Sequence, residues 1–274
     1  MMDDQEKHRW VWELSKDSFA SLRVEKARSL LIEIAHCPVA IRCLQDGSHP
    51  CSEVVRSQHA DLSRFHLPEP WTGQIVGAPL LFLSSNPSFW DAEAYPVSTW
   101  SDEKVLDFFE NRFTNGWIEN GTRTLLADGS YSRTGTAFLA AVRSRAKEFL
   151  ERDVRPGADF VLSEVVHCKS GSETGVHAAF DTCVDLYLER VLDSAGAPVV
   201  IAFGEVAKFA IRRLLGVDVQ DASIGPVEIA GRPRMFGFLP HPNSFKAKTF
   251  TTAWSNATLA EVRSFLAKEW RGAP

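Results

Sequence analysis

Four short apolar runs punctuate the chain: Leu80-Leu81-Phe82-Leu83, Phe160-Val161-Leu162, Pro198-Val199-Val200-Ile201-Ala202-Phe203 and Met235-Phe236-Gly237-Phe238-Leu239. Each is short and lacks polar alternation, the pattern of a strand buried on both faces. Helical patterns separate them. This order predicts an α/β fold of three α/β/α layers around a central four-stranded, mostly parallel sheet. Upstream, the apolar residues of SFASLRVEKARSLLIEIAHC recur at helical spacing, so the chain to about Arg64 reads as an N-terminal helical segment. HLPEPWTGQIVGAP, residues 66–79, is rich in Pro and Gly and reads as an extended loop. The expected organisation is a single domain over 1–274, with 1–75 as a helical extension.

Polar loops follow three of the runs: Ser84 to Ser88, Glu164 to Lys169, and His241 to Lys248. In open α/β sheets ligands bind outside the carboxyl ends of the strands, so these loops are expected to converge on a site. The segment Phe89 to Tyr131 departs from the pattern. It carries Trp90, Tyr95, Trp100, Phe108, Phe109, Phe113 and Trp117 among many polar residues, and reads as an aromatic-rich insertion with a short helix near Ser101 to Arg112.

Composition narrows the class. The chain has 274 residues, 45% of them hydrophobic, enough for one large core. No apolar run approaches the ~20 residues of a membrane span, and the charged start MMDDQEKHRW lacks a secretory apolar region. Five cysteines, an odd number, suit a reducing compartment. A cytoplasmic, monomeric protein with no membrane partner is expected. The net charge of -5 weighs against a broad nucleic-acid surface and leaves room for a narrow basic rim.

Four ordered motifs carry a family likeness. After the first run stands Ser84-Ser85-Asn86-Pro87-Ser88, and after the last His241-Pro242-Asn243-Ser244. Between them lie Thr134-Gly135-Thr136-Ala137-Phe138 and Leu162-Ser163-Glu164-Val165-Val166-His167-Cys168-Lys169. Over about residues 76 to 270 this order resembles the uracil-DNA glycosylase superfamily. Its first motif is Gly-x-(Asp/Glu/Asn)-Pro-(Gly/Tyr) and its last His-Pro-Ser-x. Thr-Gly-x-x-Phe is a further pattern, and the iron–sulfur branch adds Ile-Thr-Asn-Val-Val-Lys-Cys-Arg. The flanking glycines of the first motif are serines here.

The resemblance implies a monofunctional glycosylase that hydrolyses the N-glycosidic bond of a flipped pyrimidine in DNA and leaves an abasic site. No lysine occupies a motif position suited to Schiff-base chemistry. Cleavage builds positive charge on the sugar and negative charge on the base. Asn86 is expected to orient the attacking water, since an amide is no strong base. His241 is expected to hold the departing base by a hydrogen bond. Phe138 would stack on the base, with Ser85 and Glu164 also facing it. Ser88 and Ser244 would meet phosphates, Phe245 would wedge into the gap left by the base, and Lys246 and Lys248 sit where phosphates pass. Each residue also has a plainer reading: Asn86-Pro87 as a turn, His241 as a loop histidine, Phe138 as core, the lysines as solvated surface.

The cysteines and Glu164 leave alternatives open. The iron–sulfur branch uses positions resembling Cys168 and Cys183 plus a close N-terminal pair. Cys37, Cys43 and Cys51 are spaced too widely for that pair. No cofactor is therefore expected, the alternative being a cluster on Cys168, Cys183 and two of the three. At Glu164 the family has Asn, which matches uracil. An ionised carboxylate only accepts, which suits the amine of a cytosine. With the insertion reshaping the pocket wall, this points to a modified cytosine, with uracil as the conservative alternative, since a protonated Glu164 could mimic the amide. Glu164 turned outward is a further reading. Two rivals stand beside the glycosylase: a catalytically weak lesion- or abasic-DNA-binding protein, and a small-molecule or nucleotide-processing α/β enzyme.

Overall fold

The computed structural model describes residues 4–59, 61, 63–218, 221–245 and 248–270, with side chains from residue 20 onward. Three helices open the chain: α1 (Asp4–Ala35), α2 (Pro38–Gln45) and α3 (Ser52–Arg56). The Pro-rich stretch that follows holds a two-residue strand β1 (Trp71–Thr72), and β2 (Leu80–Ser84) forms next. The aromatic-rich segment contributes α4 (Asp102–Asn111) and the small hairpin β3 (Ile118–Glu119) and β4 (Arg123–Thr124). Ser101, just ahead of α4, caps it by accepting from the Lys104 amide. Then come α5 (Ala137–Leu150), β5 (Phe160–Glu164) and α6 (Val176–Cys183). A π-turn over Val184–Leu188 links α6 to α7 (Glu189–Ser194). The chain ends through β6 (Val199–Phe203), α8 (Gly204–Leu215), β7 (Ser223–Ile229), β8 (Arg232–Leu239), α9 (Phe250–Ala253) and α10 (Asn256–Glu269).

The main sheet runs β1-β5-β2-β6-β8-β7. Its inner four strands are parallel and are the four apolar runs. The two outermost strands pair antiparallel, which makes six strands where the pattern predicts four. The sequence hides both for physical reasons. β1 is two residues long and lies among prolines. β7 is an edge strand, mostly half-buried, with Gly225-Pro226 at a register shift, and proline inside a run normally demotes it.

Side chains alternate across the parallel strands. Leu81, Leu83, Val161, Val200, Ala202, Phe236 and Phe238 enter the core shared with α1–α4 and α6–α8. Leu80, Phe82, Phe160, Leu162, Val199, Ile201, Phe203, Met235 and Leu239 enter the core shared with α5, α9 and α10. Helices thus cover both faces. Chain order reverses direction at β2, with β5 on one side and β6 on the other. Such a switch point opens a crevice at the carboxyl ends of the strands. Among the described residues no helix is long and apolar enough to cross a membrane.

Candidate functional site

The loop after β2 is welded to the loop after β5. Val165 and Val166 donate their amides to Ser84 O and Ser85 O, and Ser170 donates to Pro87 O while Phe89 donates to Ser170 O. The two loops therefore move as one body. Asn86 stands at their seam. Its Nδ2 donates to Ser170 Oγ at 2.9 Å, with Pro87 O at 3.1 Å and Cys168 O at 3.4 Å. Carbonyls only accept, so the amide NH2 must face them, and the amide oxygen is turned the other way.

His241 arrives from the loop after β8. Its Nδ1 accepts the Asn243 amide at 3.2 Å, while its carbonyl accepts from Ser244 N at 2.8 Å. An accepting Nδ1 puts the ring proton on Nε2, so a neutral His241 is a donor at that atom. Burial lowers its pKa below the ordinary value, against the nearby Glu173 and with a lesser contribution from Lys248. Gly204, at φ +80°, turns β6 directly into α8, and a Cβ there would stand 3.2 Å from His241 Cβ. Phe138, at the start of α5, stacks on the His241 ring with centroids 5.7 Å apart.

Two cavities meet at Asn86, Ser88, His241 and Asn243. The inner one, about 290 Å³, continues past Phe138 and Glu164 to Glu69, Glu93, Arg112 and Lys169. Trp90, Glu93, Arg112 and Thr124 come from the aromatic-rich segment, which therefore builds one wall. The outer cavity, about 660 Å³, is lined by Ser85, Ser170, Glu173, Glu205 and Ser244. Ser84 faces inward and Ser85 outward, because successive side chains of an extended chain point to opposite sides. Ser85 therefore lies apart from Phe138 and Glu164, where the resemblance groups them.

Glu164 is buried and faces the inner cavity, and its Oε2 has no hydrogen-bond partner. Burial first, then the nearby Glu69, pushes its pKa well above the carboxylate range. That direction favours the protonated carboxyl, a donor as well as an acceptor, over the acceptor-only anion. Beyond it lies a dense ionic cluster. Arg112 bridges Glu69 at 3.2 Å and pairs with Glu93, and Lys169 binds Glu93 at 2.6 Å. Tyr95 donates to Glu69 at 2.8 Å, and Lys169 Nζ lies 3.6 Å from the Tyr95 ring centre. Burial alone raises the Glu93 carboxyl, but Lys169 and Arg112 outweigh it and hold it below its ordinary value. Removal of one partner from such a cluster strands a buried charge.

The rim residues are more dispersed. Ser88 is exposed and Ser244 half-buried, both beside the outer cavity. Phe245 projects fully into solvent at the tip of the His241 loop. Lys248 is half-buried, with its carbonyl accepting from Arg145 at 3.3 Å. Lys246 lies outside the described residues.

All five cysteines are buried free thiols. Cys168 senses Cys183, Cys37, Cys51 and Cys43, so α2, α3, α6 and the β5 loop do gather them into one region. Among the described residues, however, no three His, Cys, Asp or Glu side chains are arranged to hold a metal. Burial pushes the Cys51 thiol up to about 11 and Cys183 to about 12, and Tyr187 engages Cys37 Sγ at 3.2 Å. As arranged, these thiols fit an apolar core better than an iron–sulfur ligand set.

Sequence reasoning missed Glu173 and the Glu69–Arg112–Glu93–Lys169 cluster. Glu69 did carry a signal, an acid flanked by prolines before a buried tryptophan, and Lys169 closes a quoted motif. Glu173 sits in a turn, GSETG, that reads as an ordinary loop. No known family model matches this chain, and no curated protein is significantly similar to it.

Proposed function

We propose that the protein is a monofunctional DNA glycosylase acting on a flipped pyrimidine. The observation that carries this reading is the convergence of Asn86, Phe138, Glu164 and His241, from four separate parts of the chain, on one cavity of about 290 Å³. That volume sits at the lower edge of the roughly 300–1,000 Å³ typical of small-molecule pockets, the size for a single heterocycle. In this reading Phe138 swings from His241 onto the base, and Glu164 reads the edge of the base. His241 donates from Nε2 to the charge that develops as the base leaves. The oxygen of Asn86 holds the water.

A neutral carboxyl is compatible with two bases. Its hydroxyl and carbonyl pair with the O4 and N3–H of uracil, or, with the proton on the other oxygen, with the N3 and amine of cytosine. Glu164 alone thus leaves uracil as a second reading. The polar far wall built by Glu93, Arg112 and Lys169 favours a pyrimidine with a polar, hydrogen-bonding substituent, a modified cytosine first. The test is base release from matched duplexes bearing uracil, cytosine, hydroxymethylcytosine or its glucosylated form, read by alkaline strand scission. Release from a modified cytosine supports the first reading, and release from uracil alone the second. Tight binding of abasic DNA without release would replace both with a lesion-binding protein.

A further inference from the structure

The turn between the β5 loop and α6 places a carboxylate at the mouth of the site. Ser172 and Glu173 both adopt left-handed backbone, at φ 53° and 58°, a conformation that non-glycine residues keep only where the surroundings impose it. Those surroundings are visible. Thr174 ties back to Gly171 O through its amide at 3.1 Å and its hydroxyl at 2.8 Å, and Val176 N donates to Glu173 O at 3.1 Å. Gly175 follows at φ +72°, so close to α3 that a Cβ there would fall 2.2 Å from Val54 N. The turn is thus clamped on one side to a helix and on the other to the fused loops that hold Asn86. Within it, Glu173 accepts a hydrogen bond from Ser85 Oγ, the residue next to Asn86, and lines the outer cavity with Asn86 and His241.

We infer that Glu173 is the general base of this site, taking the proton of the water that Asn86 orients. The inference rests on the glycosylase reading and supplies what that reading lacks. An amide can position water but accepts no proton in a useful way. A carboxylate tethered one residue away, on the side of the cavity opposite the buried base-reading group, does both jobs together with it. In the step, the water oxygen forms a bond to the sugar C1′ as the C1′–N bond breaks. The bonding electron pair leaves with the base, held by the Nε2–H of His241. The water proton passes to Glu173, which returns it to the departed base. Negative charge at Glu173 also faces the positive charge that develops on the sugar.

The test uses the full chain and whichever duplex the parent cleaves. Glu173→Gln keeps an oxygen to accept from Ser85, so the turn and fold should survive, as checked by thermal melting. Single-turnover base release should fall ~10²–10⁴-fold, the usual share of a general base, while affinity for the same duplex holds or tightens. In Glu173→Ala, added formate should restore part of the rate, which a merely structural role would not allow. Parent-like release by Glu173→Gln, or loss in Glu173→Ala that formate leaves untouched, overturns the assignment and leaves the glycosylase reading standing. No release by the parent on any duplex overturns both.

Discussion

The inner cavity holds its charges as pairs removed from water, whereas the outer cavity leaves Glu173 at the surface with Ser85 as its partner. The buried set of Glu69, Arg112, Glu93 and Lys169 gains its organisation from mutual neutralisation, since each ion alone would be costly there. Glu164 is buried beside them without a cation of its own at contact distance, and burial and Glu69 push its carboxyl toward the protonated form. Glu93 and Glu164, on one cavity wall, thus shift in opposite directions, and the difference lies in neighbours rather than residue type.

The largest effect expected from breaking this contrast is structural. Arg112→Ala leaves Glu69 and Glu93 facing each other without their shared cation, and stability should drop by about 3–5 kcal/mol in denaturant titration. A loss below 1 kcal/mol would mean that the cluster is solvated. Next comes His241→Ala, which removes the Nε2 donor while the fold remains. Base release should slow ~10²–10³-fold, as for removal of an oxyanion-hole donor, with little change in the affinity for DNA. Phe138→Ala should weaken productive binding by roughly 1–3 kcal/mol, the worth of one base–aromatic stack, visible in binding of a substrate analogue.

Glu164 offers a pH test. In the unfolded chain its carboxyl titrates at about 4.3, in the fold well above. Between the two values the native state holds one proton more than the unfolded state. Its contribution to stability is thus full below the unfolded pKa and declines as pH rises through the folded one. Glu164→Gln should raise the melting temperature at neutral pH and flatten that decline, while unchanged profiles would place the carboxyl in water. The smallest effect is at the rim. Under the glycosylase reading, affinity for duplex should fall modestly with salt, because only a few phosphate contacts are proposed, and a slope for many contacts would reveal a basic surface elsewhere.

Much of this architecture was legible in advance, and for a local reason. A strand buried on both faces must be continuously apolar, so β2, β5, β6 and β8 announce themselves, and polar residues just beyond them mark Asn86, Glu164 and His241 as neighbours at one sheet edge. The short helix of the aromatic-rich segment was equally plain, because Ser101 and the acids after it form a cap within four residues. Local composition says little about edge strands, which is why β1 and β7 escaped notice.

The apolar runs and the polar residues that follow them specify the doubly covered parallel sheet and the order of the loops that crown it. How the site's carboxyls shift, by contrast, follows from contacts that exist only in the folded chain. Whether Glu164 is an anion or a neutral donor depends on burial and on Glu69, 95 residues away in the chain. The link between Glu173 and Ser85 spans 88 residues and depends on a turn held left-handed by contacts to α3. Protonation and positioning are set by through-space fields and packing, and these have no signature in spacing along the chain.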